Sequence, residues 1–175
     1  MAKKLTDSAV SVVHSYDYKN AISLLNQAIE IDSDYVSAYS AKFNFLQSMK
    51  PTDKNDLLAT ILKLIKFKPL FPELYLNAGI IYIQNGDSLS AIKFLSDAEI
   101  HFDKLLDTMH KSNSAYEPLI RDKVFCLILE GKEQKGHDLL REFSELEKDS
   151  NYRNKMTNAL NKSRKEIIDS LKLVN

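Results

Sequence analysis

The stretch NAGIIYIQNGDSLSAIKFLSDA, residues 77–98, carries two of the chain's four glycines, Gly79 and Gly86, followed by Ala91 and Ala98. Small side chains thus fall at steps of seven, five and seven in an otherwise bulky, apolar run. Two antiparallel helices approach to about 8–10 Å only where the side chains at their crossing are small. Gly79 and Ala91 therefore mark where a first helix meets a second, and Ala98 marks where the second meets the next element. Gly86 sits in an NGD turn and permits a positive φ there. Asp87 or Ser88 is placed to cap the helix that follows.

The pattern recurs upstream. DYKNAISLLNQAI, residues 17–29, lies over DSLSAIKFLSDAE, residues 87–99, with Asp17 on Asp87, Ala21 on Ala91, Ile22 on Ile92, Leu25 on Leu95 and Ala28 on Ala98. The offset of 70 residues is two units of about 35, the sequence signature of a repeat. Between them, AYSAKFNFLQSMK and DLLATILKLIKFKP form another helix pair. There Leu57, Ile61 and Leu64 take the places of the alanine, leucine and alanine, and their bulk predicts a wider pair. Residues 117–147 give a weaker fourth unit, with Gly131 at the turn, Gly136 at the alanine place and Phe143 where a second alanine is expected.

This pattern resembles the tetratricopeptide repeat, a helix-turn-helix unit of about 34 residues. In the third unit the match runs through Tyr75, Ala78, Gly79, Tyr82, Gly86, Ala91, Leu95 and Ala98, with Asp103 departing from the closing proline. In the first unit Ala9 replaces the first-helix glycine and Tyr16 the turn glycine, while Asp17, Tyr18, Ala21 and Ala28 fit. Pro69 supplies the closing proline of the second unit. The resemblance implies an all-α, right-handed α-α superhelix (solenoid) of three to four helical hairpins within a single domain, residues 1–175. Its repeats would span about 2–35, 36–71, 72–110 and a degenerate 117–147. A capping helix over about 151–173, with Met156, Leu160, Ile167 and Leu171 as its stripe, would cover the apolar end.

The rest of the chain agrees with an all-α reading. Apolar residues recur at three and four, as in Ile22, Leu25, Ile29 and in Leu57, Ile61, Leu64, Ile65. Asp34 is expected to cap a helix running to about Met49, Asp53 to precede the next, and Pro72 to open the one after it. The 88–110 helix is predicted to be longer than its neighbours. SNSAYEP, residues 112–118, reads as a loop in which Ser114 and Glu117 have the spacing of a capping box.

Composition narrows the function classes. Hydrophobic residues make up 44% and charged ones 27%, ordinary for a folded chain. Lysine plus arginine and aspartate plus glutamate both total 24, so no net field attracts a polyanion, and nucleic-acid binding is not expected. The single cysteine, Cys126, sits in apolar VFCLIL, where an inert thiol is the expected state. It excludes an intrachain disulfide and a multi-cysteine zinc site. No run approaches the roughly 20 apolar residues of a transmembrane helix. The expected compartment is the cytoplasm, with an exported or lipid-anchored place in a bacterial envelope as the alternative if a leader was removed.

No catalytic constellation emerges. HExxH, GxSxG and GxxxxGK[ST] are absent, and His14, His101, His110 and His137 are scattered. Acid pairs such as Asp103 with Asp107 and Glu145 with Glu147 read as solvated helix faces. Neither an enzyme nor a bound cofactor or metal is expected.

By resemblance, the first helices of successive repeats line a concave groove for a peptide or helix of a partner protein. The groove-facing places fall on Thr6, Val10, Val13 and His14, then Ser40, Asn44, Gln47 and Ser48. The third and fourth units give Leu76, Asn77, Ile80, Ile83 and Gln84, then Arg121, Phe125 and Ile128. Asn44, Gln47, Asn77, Ile80, Ile83, Gln84, Arg121 and Phe125 are the candidate partner-binding residues. The carboxylate-gripping set of chaperone-binding members is not reproduced, since Thr6, Val10, Ala41, Glu73 and Asn77 stand there. A mixed apolar and amide surface suits an amphipathic helix or an extended segment. Two rival expectations remain: a self-associating homo-oligomer, and a groove filled by the long helix or by the C-terminal one.

Overall fold

The structure is a computed structural model, and it describes residues 1–13, 16–146, 154, 158 and 162–173. Among them every regular element is an α-helix, so the chain is all-α. In order these are α1 (Ala2–Val13), α2 (Tyr18–Ile31), α3 (Val36–Ser48), α4 (Lys54–Phe67), α5 (Pro72–Gln84), α6 (Ser88–Thr108), α7 (Tyr116–Glu130), α8 (Glu133–Leu146) and α9 (Arg164–Leu173). They fall into two compact units, one ending at Pro69 and the other beginning at Leu70.

In the first unit α1 packs on α2, α2 on α3, α3 on α4, and the two first helices α1 and α3 also touch. Ala9, Ala21, Ala28 and Ala38 are fully buried there, beside the larger Leu25, Leu46 and Ile61. Asp17 caps α2 by accepting from the Asn20 amide at 3.1 Å. The preceding Tyr16 holds φ +59, so a tyrosine does what the turn glycine does elsewhere.

The α3–α4 hairpin lacks the small residues and is held in another way. Lys42, whose side chain is 10% exposed, donates to Asp56 Oδ1 at 2.6 Å across the pair. Tyr39 and Phe67 pack with ring centroids 6.0 Å apart, and the Lys63 ammonium lies over both rings. Asp53, expected to precede α4, also caps it, accepting from the amides of Asn55 and Asp56. Asp34 does not cap α3. That helix starts after Tyr35, because Asp32 takes the Asp34 amide into a turn at 3.1 Å and the Asp34 carboxylate meets Lys63 at 3.2 Å.

The second unit is organised by the quoted stretch. A Cβ built on Gly79 would lie 2.8 Å from the Leu95 side chain and 3.5 Å from the Ala91 carbonyl, so only glycine fits between α5 and α6. Ala91 and Leu95 are buried there, and Ala78 and Ala98 are buried as well. Tyr75 and Tyr82 pack against Phe94, the latter stacked at 5.3 Å. Gly86 takes φ +79 with open space around it, and Asp87 caps α6 by accepting from the Ser90 amide at 3.0 Å.

Farther along, α6 packs on α7 and α7 on α8. Gly136 repeats the device of Gly79, since a Cβ there would stand 3.0 Å from Ile128 and 3.2 Å from the Val124 carbonyl. The Ser114–Glu117 capping box does not form. Asn113 instead accepts the Ala115 amide at 2.9 Å, and α7 begins with no side-chain cap. Of the expected C-terminal helix the described part is α9, which packs against α5 and α7. Met156 and Leu160 lie outside the described residues.

Candidate functional site

The first helices carry the residues expected to face a partner, and each unit presents its own set. In the first unit Thr6 is buried and bonds back to the Ala2 carbonyl at 3.1 Å, while Val10 is 45% exposed. Asn44 and Gln47 are exposed on α3, and Ser40 accepts from Lys68 at 3.2 Å. His14 lies outside the described residues.

In the second unit α9 packs against the two first helices, α5 and α7. Ile167, 3% exposed, is its buried anchor. Gln84, at the end of α5, donates to the Leu171 carbonyl at 3.0 Å. At the other end of α9, the Arg164 guanidinium donates through Nε to the Leu129 carbonyl at 2.9 Å, and its amide donates to Glu133 at 3.1 Å. The α9 start is also capped from within: the Ser163 amide donates to Glu166 at 2.8 Å, and the Glu166 amide to Ser163 Oγ at 3.3 Å. A helix of 10 residues is marginal in water, so most of its stability must come from the surface it rests on.

The remaining second-unit candidates are distributed unevenly. Ile83 is buried, whereas Ile80 and Phe125 are half-buried. Asn77 bonds within its own helix, donating to the Glu73 carbonyl at 2.7 Å. Arg121 is exposed, its Nε 3.6 Å from Asp122. Among these candidates Gln84 is joined to α9 by a direct hydrogen bond.

Sequence reasoning missed the polar group that ties α6 to the α7–α8 turn. Glu99 is buried on α6 and accepts from both Lys132 and Lys135, while Lys132 also meets Glu130 at 2.8 Å. Burial opposes the Glu99 charge, but hydrogen bonds from the two lysines outweigh it and pull the carboxyl down to about 2. Burial pushes the Glu130 carboxyl up. Hydrogen bonds that Lys132 donates to Glu130 and Glu99 raise its ammonium. Cys126, fully buried, donates to the Leu95 carbonyl at 3.2 Å, and burial pushes its thiol up to about 12, the state of an unreactive core cysteine. The signal for the network was an acid at the position matching Ile29 of the first unit.

Among the described residues no three His, Cys, Asp or Glu side chains gather as a metal site, and no helix is long and apolar enough to cross a membrane. No protein-family model matches the chain, and no curated protein matches it either.

Proposed function

We propose that this chain is a non-catalytic, tetratricopeptide-repeat-like interaction module, holding an amphipathic helix or extended segment of a partner protein on the first helices of its hairpins. On this reading its hairpins are successive repeats of one right-handed superhelix. The shared small-residue positions of residues 17–29 and 87–99 support that relation. The observation that carries the binding role is α9, an amphipathic helix seated on α5 and α7 through a buried isoleucine and through side-chain bonds to backbone carbonyls. A surface that accepts one helix in this way has the chemistry to accept another, with apolar anchors for affinity and an amide for register.

The test opens that surface in the intact chain of residues 1–175. Ile167→Asp places a charge in the buried anchor position and should release α9. A fluorescein-labelled peptide of residues 162–175 is then titrated against both proteins, with anisotropy as the readout. The variant should bind it at least about tenfold more tightly than the parent, a difference of about 1.4 kcal/mol. Adding Gln84→Ala should weaken that binding. A variant that keeps its helical circular dichroism yet takes up no more peptide than the parent would refute the reading.

A further inference from the structure

The helix α6 outruns its hairpin partner. It has 21 residues against 13 in α5, so at 1.5 Å per residue it is about 31 Å long against about 20 Å. The surplus lies at its C-terminal end, beside the start of α5. The chain then returns into α7 and closes a third wall. The outcome is a cleft of about 420 Å³, walled by Phe71, Pro72, Leu105, Met109, Pro118 and Leu119. That volume lies in the range of small-molecule sites, roughly 300–1,000 Å³.

Two charged groups line it, Glu73 and Asp122, and no cationic side chain joins them among the described residues. Glu73 lies in the first turn of α5 and answers the positive end of that helix. Asp122 lies farther into α7, beyond the reach of that helix's own positive end. It is half-buried, and Arg121 Nε approaches only to 3.6 Å, longer than a hydrogen bond. Burial pushes its carboxyl above the ordinary range despite Arg121. A carboxylate partly withdrawn from water, with one long ion pair, gains from a second cation such as a ligand's ammonium.

We propose that this cleft binds a small hydrophobic amine, its apolar body against Phe71, Leu105, Met109 and Leu119 and its ammonium on Asp122, with Glu73 adding to the negative potential. The site is separate from the surface under α9 and does not rest on the helix-binding role.

Methionine methyl groups report on it directly. The chain has four methionines, and among the described residues Met109 is the one in the cleft wall. The full chain is labelled with methyl-¹³C methionine, the Met109 signal is assigned with Met109→Leu, and three probes of one shape are titrated: 4-phenylbutylamine, 4-phenylbutan-1-ol and 4-phenylbutanoate. The amine should shift the Met109 signal saturably and bind at least about tenfold more tightly than the carboxylate, with the alcohol between them. Asp122→Asn should remove most of the amine's advantage over the alcohol, and Glu73→Gln a smaller part. An unmoved Met109 signal, or equal affinities for amine and carboxylate, overturns the proposal. The charge series is run on the unaltered chain, so it decides the matter even where a variant fails to fold.

Discussion

Where the α1–α2 turn is described, from Tyr16 on, it matches the α5–α6 turn with different residues. In the second unit Gly86 holds φ +79, its amide donates to the Ile83 carbonyl at 3.1 Å, and Asp87 caps the next helix at 3.0 Å. In the first unit Tyr16 holds φ +59, its amide donates to the Val13 carbonyl at 2.8 Å, and Asp17 caps at 3.1 Å. Even the next bond is matched, from Ser88 to Gly86 at 3.2 Å and from Tyr18 to Tyr16 at 3.0 Å. The left-handed residue therefore belongs to this turn, whatever occupies it, whereas the α3–α4 hairpin closes without one. Glycine adopts it freely, whereas a tyrosine bears a cost of about 1–2 kcal/mol.

The two hairpins differ more at their crossing, and the largest effect is expected there. Ala9 stands where Gly79 stands, so the first unit tolerates one methyl that the second does not. Gly79→Leu must push against Leu95, which has no exposed side to retreat to, and should lower the stability of the second unit by about 3 kcal/mol. Thermal unfolding checks this. An unchanged midpoint would break the equivalence of the crossings.

The third contrast is electrostatic. Glu99 occupies the place of Ile29, so the second unit holds by an ion network what the first holds by apolar packing. Glu99→Gln should cost about 2 kcal/mol, below the value for a fully buried pair because Lys132 and Lys135 are 42% and 58% exposed. The sign with pH follows from a folded carboxyl held at about 2 against an ordinary 4.5. The unfolded chain binds the extra proton in that window, so the contribution is full above about pH 4.5 and is lost as pH falls towards 2. Glu130, pushed up by burial, works in the opposite direction. The difference between parent and Glu99→Gln isolates the Glu99 part. Amide exchange, corrected for its intrinsic rate, should show α6 and α7 of the parent loosening across that window, and the variant lacking that component.

Much of the helical order was legible because its causes are local. Gly79, Ala91 and Ala98 stand out because nothing but a close crossing requires small residues at those intervals, and Asp17, Asp53 and Asp87 announce helix starts within one turn. Asp34 misled because a second aspartate two residues earlier competes for the same turn. Ser114 and Glu117 misled because Asn113 claims the amide first. The candidate surface was less legible. Gln84 was readable as an amide on the first-helix face, but its bond to Leu171 joins residues 87 positions apart. Ile83 and Asn77 have the right periodicity yet turn into the core or onto their own helix, a choice made by packing. Lys42 and Glu99 could not be distinguished from surface charges until their partners on other helices were in place.

The most direct test of the shared turn exchanges its pivotal residues. Tyr16 is 82% exposed, so Tyr16→Gly loses little packing and relieves the left-handed backbone, whereas a Cβ on Gly86 meets nothing within 4 Å, so Gly86→Ala tests the backbone alone. In urea unfolding Tyr16→Gly should raise stability by about 0.5–1 kcal/mol, and Gly86→Ala should lower it by about 1 kcal/mol. A Tyr16→Gly chain less stable than the parent, or a Gly86→Ala chain equal to it, would contradict the claim that one hairpin geometry governs both units.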